Sequence, residues 1–213
     1  MDADPKSPLQ EGRPTAFHEA PCSRFRCVVA DPPWTPRLHR NTVGRHSPVN
    51  GYRKGPQGHY PTMGLPEICR LAPVTDDKCH LWLWVLSQHV DWGYAVARAW
   101  GFEPQQMVTW AKPTLGTGQF QSNTEHVLLC RKGGPVENAF GMTGGTWFDW
   151  PRRSHSEKPE EFFALVERVS PGPYLEMFAR RKRPGWSSWG NEVPCDVEID
   201  TSNDQADRAA VGG

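Results

Sequence analysis

Four residues, Asp31-Pro32-Pro33-Trp34, follow directly on the apolar run Phe25–Ala30, and their types suit one kind of chemistry. A buried strand that ends in Asp delivers a carboxylate to the rim of a sheet, where open α/β folds keep their ligands. Two prolines fix φ at about −65° and remove two N–H donors, so the carbonyls there are expected to face outward as acceptors. Trp34 offers a flat surface for stacking, or else a cap on the core. Acceptors beside a plate match a planar heterocycle with an exocyclic amine. The amino nitrogen of adenine or cytosine is a poor nucleophile, because its lone pair is delocalised into the ring. A carboxylate and a carbonyl accepting its two N–H bonds favour a tetrahedral nitrogen whose lone pair can attack an electrophilic methyl group. Such catalysis works by positioning and electrostatics rather than by a strong base. The plainer reading of the same residues is a proline-stiffened turn after a strand.

The elements that must hold this segment alternate along the chain. Phe25–Ala30 reads as a strand, Gly64–Leu71 as a short helix, and Leu81–Leu86 as a strand buried on both faces by its unbroken apolarity. Ser87 is expected to cap a helix carrying Val90, Tyr94, Ala97 and Trp100 on one face, which Gly101 stops. Gln105–Trp110 and His126–Cys130 read as strands, as does Thr146–Trp150 more weakly. Pro159 opens a helix at its favoured first position, with Glu160 and Glu161 suiting the dipole and Phe162, Phe163, Val166 and Val169 facing the core. Tyr174–Ala179 is a final strand. This order implies an α/β layered sheet, largely parallel.

Bulk properties narrow the field. The chain has 213 residues, enough for one domain with a full core. Its 24 basic and 24 acidic side chains cancel, so no global field advertises a polyanionic partner and local patches must be sought. Cysteines at 22, 27, 69, 79, 130 and 195 form no CxxC pair and no zinc spacing, and read as reduced thiols of a cytoplasmic protein. No signal peptide or membrane-spanning run is visible. Residues 1–22 are expected to form a flexible arm, 23–195 the domain, and 196–213 a disordered tail. Between Thr35 and His59 lies an aperiodic stretch with Arg37, Arg40, Arg45, Arg53 and Lys54, either a loop that closes over a polyanion or a solvated surface loop.

Taken in order, further segments accompany the tetrapeptide: His59-Tyr60-Pro61-Thr62-Met63, Ala99-Trp100-Gly101-Phe102, Trp110-Ala111-Lys112, Gly116-Thr117-Gly118, Glu125-His126, and Ser154-His155-Ser156-Glu157-Lys158-Pro159. Leu175-Glu176-Met177-Phe178-Ala179-Arg180 and Gly185-Trp186 through Trp189-Gly190-Asn191-Glu192 complete the series. Over residues 25–193 this ordered set resembles the adenine-N6-methyltransferase family that includes the catalytic subunit of the eukaryotic messenger-RNA methylase, and its bacterial and phage members of similar size. The resemblance implies a Rossmann-like methyltransferase fold using S-adenosylmethionine, with the catalytic strand early in the chain and the cofactor-binding strand, Tyr174–Ala179, late. That permuted order accounts for the lack of an N-terminal GxGxxG fingerprint.

The resemblance also implies roles. Asp31, Pro32, Pro33 and Trp34 would form the catalytic segment, with Asp31 and the Pro32 carbonyl holding the target amine, Asp31 also near the cofactor ammonium, and Trp34 stacking on the base. Tyr60 is a second aromatic for that pocket, or a core residue. Lys158 matches the position that pairs with the cofactor carboxylate, and His155 lies in the same segment. Arg180, Asn191 and Glu192 match ribose-binding positions. Glu176 is either a further cofactor-site acid or a stabiliser of the local fold. Lys112 and Glu125 match positions lining the target pocket, with Arg53 and Lys54 on the basic loop. Arg181-Lys182-Arg183 contacts phosphates or is surface charge, while Trp186 and Trp189 pack. No metal is called for. The reading is transfer of a methyl group to N6 of adenine, in DNA rather than RNA, with an RNA substrate, a cytosine-N4 target and a catalytically inactive nucleic-acid-binding subunit as alternatives. With little room for a separate target-recognition domain, sequence preference is expected to be relaxed, or else supplied by a second subunit or second copy through dimerisation.

Overall fold

The computed structural model describes residues 24–36, 61–115, 121–136, 144–152 and 157–199. Seven strands form one sheet: β1 Phe25–Ala30, β2 Thr75–Val85, β3 Glu103–Ala111, β4 Thr124–Lys132, β5 Trp147–Phe148, β6 Tyr174–Met177 and β7 Trp186–Trp189. Their spatial order is β5-β3-β4-β2-β1-β6-β7. Helices α1 Leu65–Cys69, α2 Val90–Ala99 and α3 Glu160–Val169 connect them. Four neighbouring pairs are parallel. Only β4 runs the other way, antiparallel to β2 and to β3. This is the largely parallel α/β sheet that the alternation implied and the Rossmann-like fold that the resemblance implied, and the strand leading into Asp31 precedes β6 in the chain.

Both faces of the sheet are covered, which is why β2 can be apolar at successive positions. Val28 and Ala30 of β1, Leu81, Leu83 and Val85 of β2, and Leu128 of β4 face α1 and α2, meeting Ile68, Val96 and Ala97. The alternate positions, Val29, Trp82, Trp84, Val108, Trp110 and Val127, face α3 and pack on Phe162, Phe163 and Val166. Period-two alternation thus sorts the core into two layers. The aromatic layer under α3 interlocks edge to face, with Trp84 4.7 Å from Phe162 and 6.1 Å from Trp110.

Several elements differ from expectation for physical reasons. β2 begins at Thr75 rather than Leu81, because the pairing with β1 carries the backbone past the apolar run. Ser87 does not cap α2: it sits in a 3-10 turn, Ser87–His89, and its hydroxyl lies 3.1 Å from His126 Nε2 instead. Pro159 takes the N-cap position of α3. Trp186 and Trp189 bracket the added strand β7, where Trp186 stacks on Tyr174 at 4.7 Å and donates to Glu167 at 2.8 Å. Beyond β7, Asp196 pairs its backbone N–H and its carboxylate with Ser188, at 2.9 and 2.8 Å. Val197 and Ile199 pack on the core, so residues 196–199 belong with the domain rather than with a tail. No helix among the described residues is long and apolar enough to cross a membrane.

One glycine controls the edge of the site. A Cβ on Gly190 would stand 2.3 Å from the Ala179 carbonyl oxygen and 2.7 Å from its nitrogen, because the turn after β7 crosses the turn after β6 there. Ala179 N–H in turn donates to Trp189 O at 3.0 Å. Gly190→Ala is therefore expected to lose about 1–3 kcal/mol, measured as a lower midpoint in urea unfolding. A midpoint equal to that of the parent would contradict so close a crossing.

Candidate active site

The carboxyl ends of β1, β2, β3 and β6 reach one rim of the sheet. Because β4 is antiparallel, its first residues reach that rim too. Asp31 follows β1, Lys112 follows β3, and Glu125 is the second residue of β4. Lys158 arrives from the other side, held in extended chain just before the Pro159 cap of α3.

These four side chains form a continuous chain of charge. Lys158 Nζ lies 3.1 Å from Asp31 Oδ2 and 2.9 Å from Glu125 Oε2. Glu125 Oε1 accepts from Lys112. Beneath Lys158, the Trp84 ring centroid is 4.5 Å from the ammonium, a cation–π contact that replaces water on that side. Burial opposes the charge on Lys158, yet Asp31 and Glu125 more than offset it and raise its pKa above the ordinary lysine value. Burial likewise opposes the charge on Glu125, and the two lysines overcome it, holding the carboxyl at about 2. The network is a fixed electrostatic frame rather than a proton relay: a carboxylate so acidic does not accept a proton from an ammonium so basic. One of the three N–H bonds of Lys158 stays in hand for a further acceptor.

Asp31 and Lys158 open onto a cavity of about 210 Å³ lined also by Val29, Trp84, Phe163, Glu176, Phe178, Arg180 and Arg183. It lies at the ends of β1 and β6, the crevice where α/β sheets bind ligands. Phe178, just past β6, has φ of +61°, a left-handed conformation that costs a non-glycine residue about 1 kcal/mol or more and tends to mark functional turns. Glu176 Oε2 and Arg183 Nε are both buried without a hydrogen-bond partner among the described residues, although they stand 4.0 Å apart. Burial raises the Glu176 carboxyl to about 7, with Arg183 opposing and the Asp31 charge reinforcing the shift. Two polar groups left without partners on a cavity wall are what a polar ligand would satisfy.

Among the residues singled out from sequence, Asp31, Lys158, Glu176 and Arg180 therefore share one cavity. Lys112 and Glu125 join it through the ion chain. Glu192 approaches through Arg180, Nε to Oε1 3.7 Å, and Asn191 sits beside it on the exposed turn after β7. Tyr60, Arg53, Lys54 and His155 lie outside the described residues.

Two expectations need correction. Trp34 is not an open plate: it is 6% exposed, His89 stacks on it at 5.7 Å, and its Nε1 donates to Trp84 O at 3.1 Å. Its ring fastens the Asp31–Trp34 segment to β2 and has its face covered by His89. The proline carbonyls are not both free either. Pro33 O accepts from Met63 N at 2.8 Å, and Pro32 O accepts from Trp34 N at 2.8 Å, so Pro32 keeps one lone pair to offer.

The basic cluster is also largely internal. Arg181 pairs with Glu157 and Glu160, Lys182 with Asp196, and Arg183 with Glu160. Trp84 is missed by sequence reasoning, and Arg183 is taken with its cluster for a phosphate contact or surface charge rather than for a cavity wall. Trp84 is hidden inside an apolar run, and Arg183 inside a cluster whose charges looked superficial.

Sheet order, rim carboxylates and a polar cavity at the β1–β6 crevice define an α/β enzyme of the Rossmann-like methyltransferase class. The MT-A70 family model matches residues 25–192, and the chain belongs to that family of adenine-N6 methyltransferases. Among relatives it is 27% identical to the Type II methyltransferase M.MunI of Mycoplasma sp, over 93% of this chain and 89% of that protein. It is 30% identical to the N(6)-adenosine-methyltransferase catalytic subunit METTL3 of Homo sapiens, over 80% of this chain but only 28% of that longer protein. The N(6)-adenosine-methyltransferase MT-A70-like protein of Drosophila melanogaster is 28% identical, over 80% of this chain and 27% of that protein.

The two shifted carboxylates predict opposite pH behaviour. Glu125 sits below its unfolded value of 4.5, so its stabilisation is complete above pH 4.5 and is lost as pH falls through about 2. Glu125→Gln should remove about 3 kcal/mol of that acid-side dependence, read from urea unfolding at pH about 5 and at pH about 2, which span most of the transition. Glu176 sits above its unfolded value, so ionising it costs stability as pH rises from 4.5 through about 7. Glu176→Gln should therefore raise the melting temperature at pH about 8 and leave it unchanged at pH about 4, and an equal change at both would refute the assignment.

Proposed function

We propose that this chain transfers a methyl group from S-adenosylmethionine to N6 of adenine in DNA. The observation that carries the proposal is the pairing of Asp31 with Lys158 at the mouth of the β1–β6 cavity. The donor set fits that cofactor. An amino-acid carboxylate finds the spare N–H of Lys158, and its ammonium finds Asp31. The ribose hydroxyls find acceptors in Glu176, whose Oε2 is buried without a partner, and in Glu192. Arg180, Asn191 and the Arg183 Nε are further donors on the same side. When bound, the group supplies an electrophilic methyl on a positively charged sulfur.

The protein side of the reaction is positioning. Asp31 and the remaining lone pair of Pro32 O accept the two N–H bonds of the adenine amine and turn its lone pair toward the cavity. Trp34, His89 and Met63 hold those acceptors still, through the stacking, the Trp34–Trp84 bond, and the backbone pairing of Thr35 and Pro33 with Met63. Preorganised acceptors of this kind need no reorganisation as charge develops. A target in duplex DNA would have to be flipped out of the stack, whereas a single strand presents its base directly.

The preference for DNA rests on the match to a Type II methyltransferase along 89% of that protein's length, a designation belonging to DNA-modifying enzymes. The relatives named for adenosine support RNA as the second reading. The intact Asp31-Pro32-Pro33-Trp34 and Lys158 speak against a catalytically inactive subunit.

Incubation with labelled S-adenosylmethionine and matched DNA and RNA oligonucleotides, followed by digestion to nucleosides, tests the proposal. N6-methyldeoxyadenosine is the expected product. N6-methyladenosine from RNA alone would transfer the activity to the other polymer, and methylcytosine or no product would overturn it. Asp31→Ala should lower the rate by at least about 100-fold.

A further inference from the structure

Equal numbers of acidic and basic side chains leave no net field to hold a polyanion. Local contacts must do so, and the paired cations described above supply few of them. Lys112 is committed to Glu125, and Arg181, Lys182 and Arg183 to carboxylates of the domain itself. At the β5 end of the rim the surface is apolar instead. Trp147 is 61% exposed, and Leu115, just past β3, is 65% exposed.

Trp147 is held outward by its neighbours. β5 pairs Thr109 with Trp147 and Trp110 with Phe148, so the two aromatic rings alternate across the sheet. Phe148 turns to the α3 face and stacks on Trp150 at 4.3 Å, while Trp150 O accepts from Trp110 Nε1 at 2.8 Å. Thr109 N–H donates to Thr146 O at 2.7 Å. With both flanks fastened, alternation sends Trp147 to the opposite face. Five residues further on, Arg152 donates to Thr114 Oγ1 at 3.0 Å, tying the segment after β5 to the segment after β3 and leaving an exposed guanidinium there. Trp147 lies two strands from Glu125 and four strands from the β1 end that carries Asp31, about 19 Å from the latter, on the side opposite the cofactor cavity.

We propose that Trp147 is a stacking plate for the base of a nucleotide about three positions along the strand from the target adenine, with Arg152 as the cation at a phosphate of the same stretch. This rests on the nucleic-acid reading of the rim. An exposed, rigidly held indole suits the task because every base has a π face, so the contact grips a strand without reading its sequence. Arg152 adds a charge that the neutral surface otherwise lacks there.

Fluorescence anisotropy with a labelled single-stranded oligonucleotide carrying one adenine reads the contact without relying on methyl transfer. Trp147→Ala should weaken binding about 5- to 100-fold, with cofactor affinity and melting temperature unchanged, and Trp147→Phe should recover most of the loss. An abasic site about three positions from the adenine should weaken binding to the parent protein and have little further effect on Trp147→Ala. Equal binding by parent and Trp147→Ala, or no binding by the parent, overturns the proposal. So does a change in oligomeric state in Trp147→Ala by sedimentation, since the ring would then seat a second copy of the chain. A parent protein that binds through Trp147 yet transfers no methyl group would overturn the proposed activity and leave the plate in place.

Discussion

An ammonium group taken out of water must be compensated from several directions at once, and Lys158 is compensated by three strands. Asp31 comes from the end of β1, Glu125 from the start of β4 and the Trp84 ring from β2. These strands are separated in sequence but adjacent in the sheet, in the order β4-β2-β1. Reversing β4 is what makes the arrangement geometrically available. Were β4 parallel, its carboxyl end would reach the rim and Glu125 would lie at the far edge. Lys112 then completes the charge balance from β3. The frame thus ties the β1 end of the rim to the β3 end.

Around the cavity, stability is given up in several small ways. Phe178 holds a left-handed backbone, Glu176 is buried with its carboxyl raised to about 7, and Arg183 Nε and Trp84 Nε1 lack partners. Elsewhere, some equivalent groups are fully satisfied. Ser170, for instance, takes Trp82 Nε1 at 2.9 Å and His80 Nδ1 at 2.8 Å on its hydroxyl, and Tyr174 OH on its carbonyl at 2.8 Å. Several such costs gathered on one wall are the pattern expected where a ligand supplies missing contacts.

Much of this was legible in the sequence, and for identifiable reasons. A strand ending in Asp-Pro-Pro and a Lys placed just before a helix-opening Pro are local signals, because backbone restriction by proline does not depend on the rest of the fold. The alternation of apolar runs likewise gave most strands and helices. Long-range geometry was not legible. Nothing local says that Glu125 lies between two lysines, one 13 and one 33 residues away. Nor does residue type alone show that Trp34 is covered by His89, or that Arg181-Lys182-Arg183 is neutralised by Glu157, Glu160 and Asp196 from α3 and its approach and from the chain after β7. Aromatic and basic side chains serve core and surface equally well, and only packing decides between them.

The central claim is that Glu125 acts on the cofactor site only through Lys158. Calorimetric titration of S-adenosylmethionine into the parent protein, Glu125→Gln, Lys158→Met and the double variant tests it directly. Both single variants should bind more weakly, and the double variant no more weakly than Lys158→Met alone, a coupling energy above about 1 kcal/mol. Additive losses would mean that Glu125 and Lys158 act independently, and the account of the rim as one frame would fail.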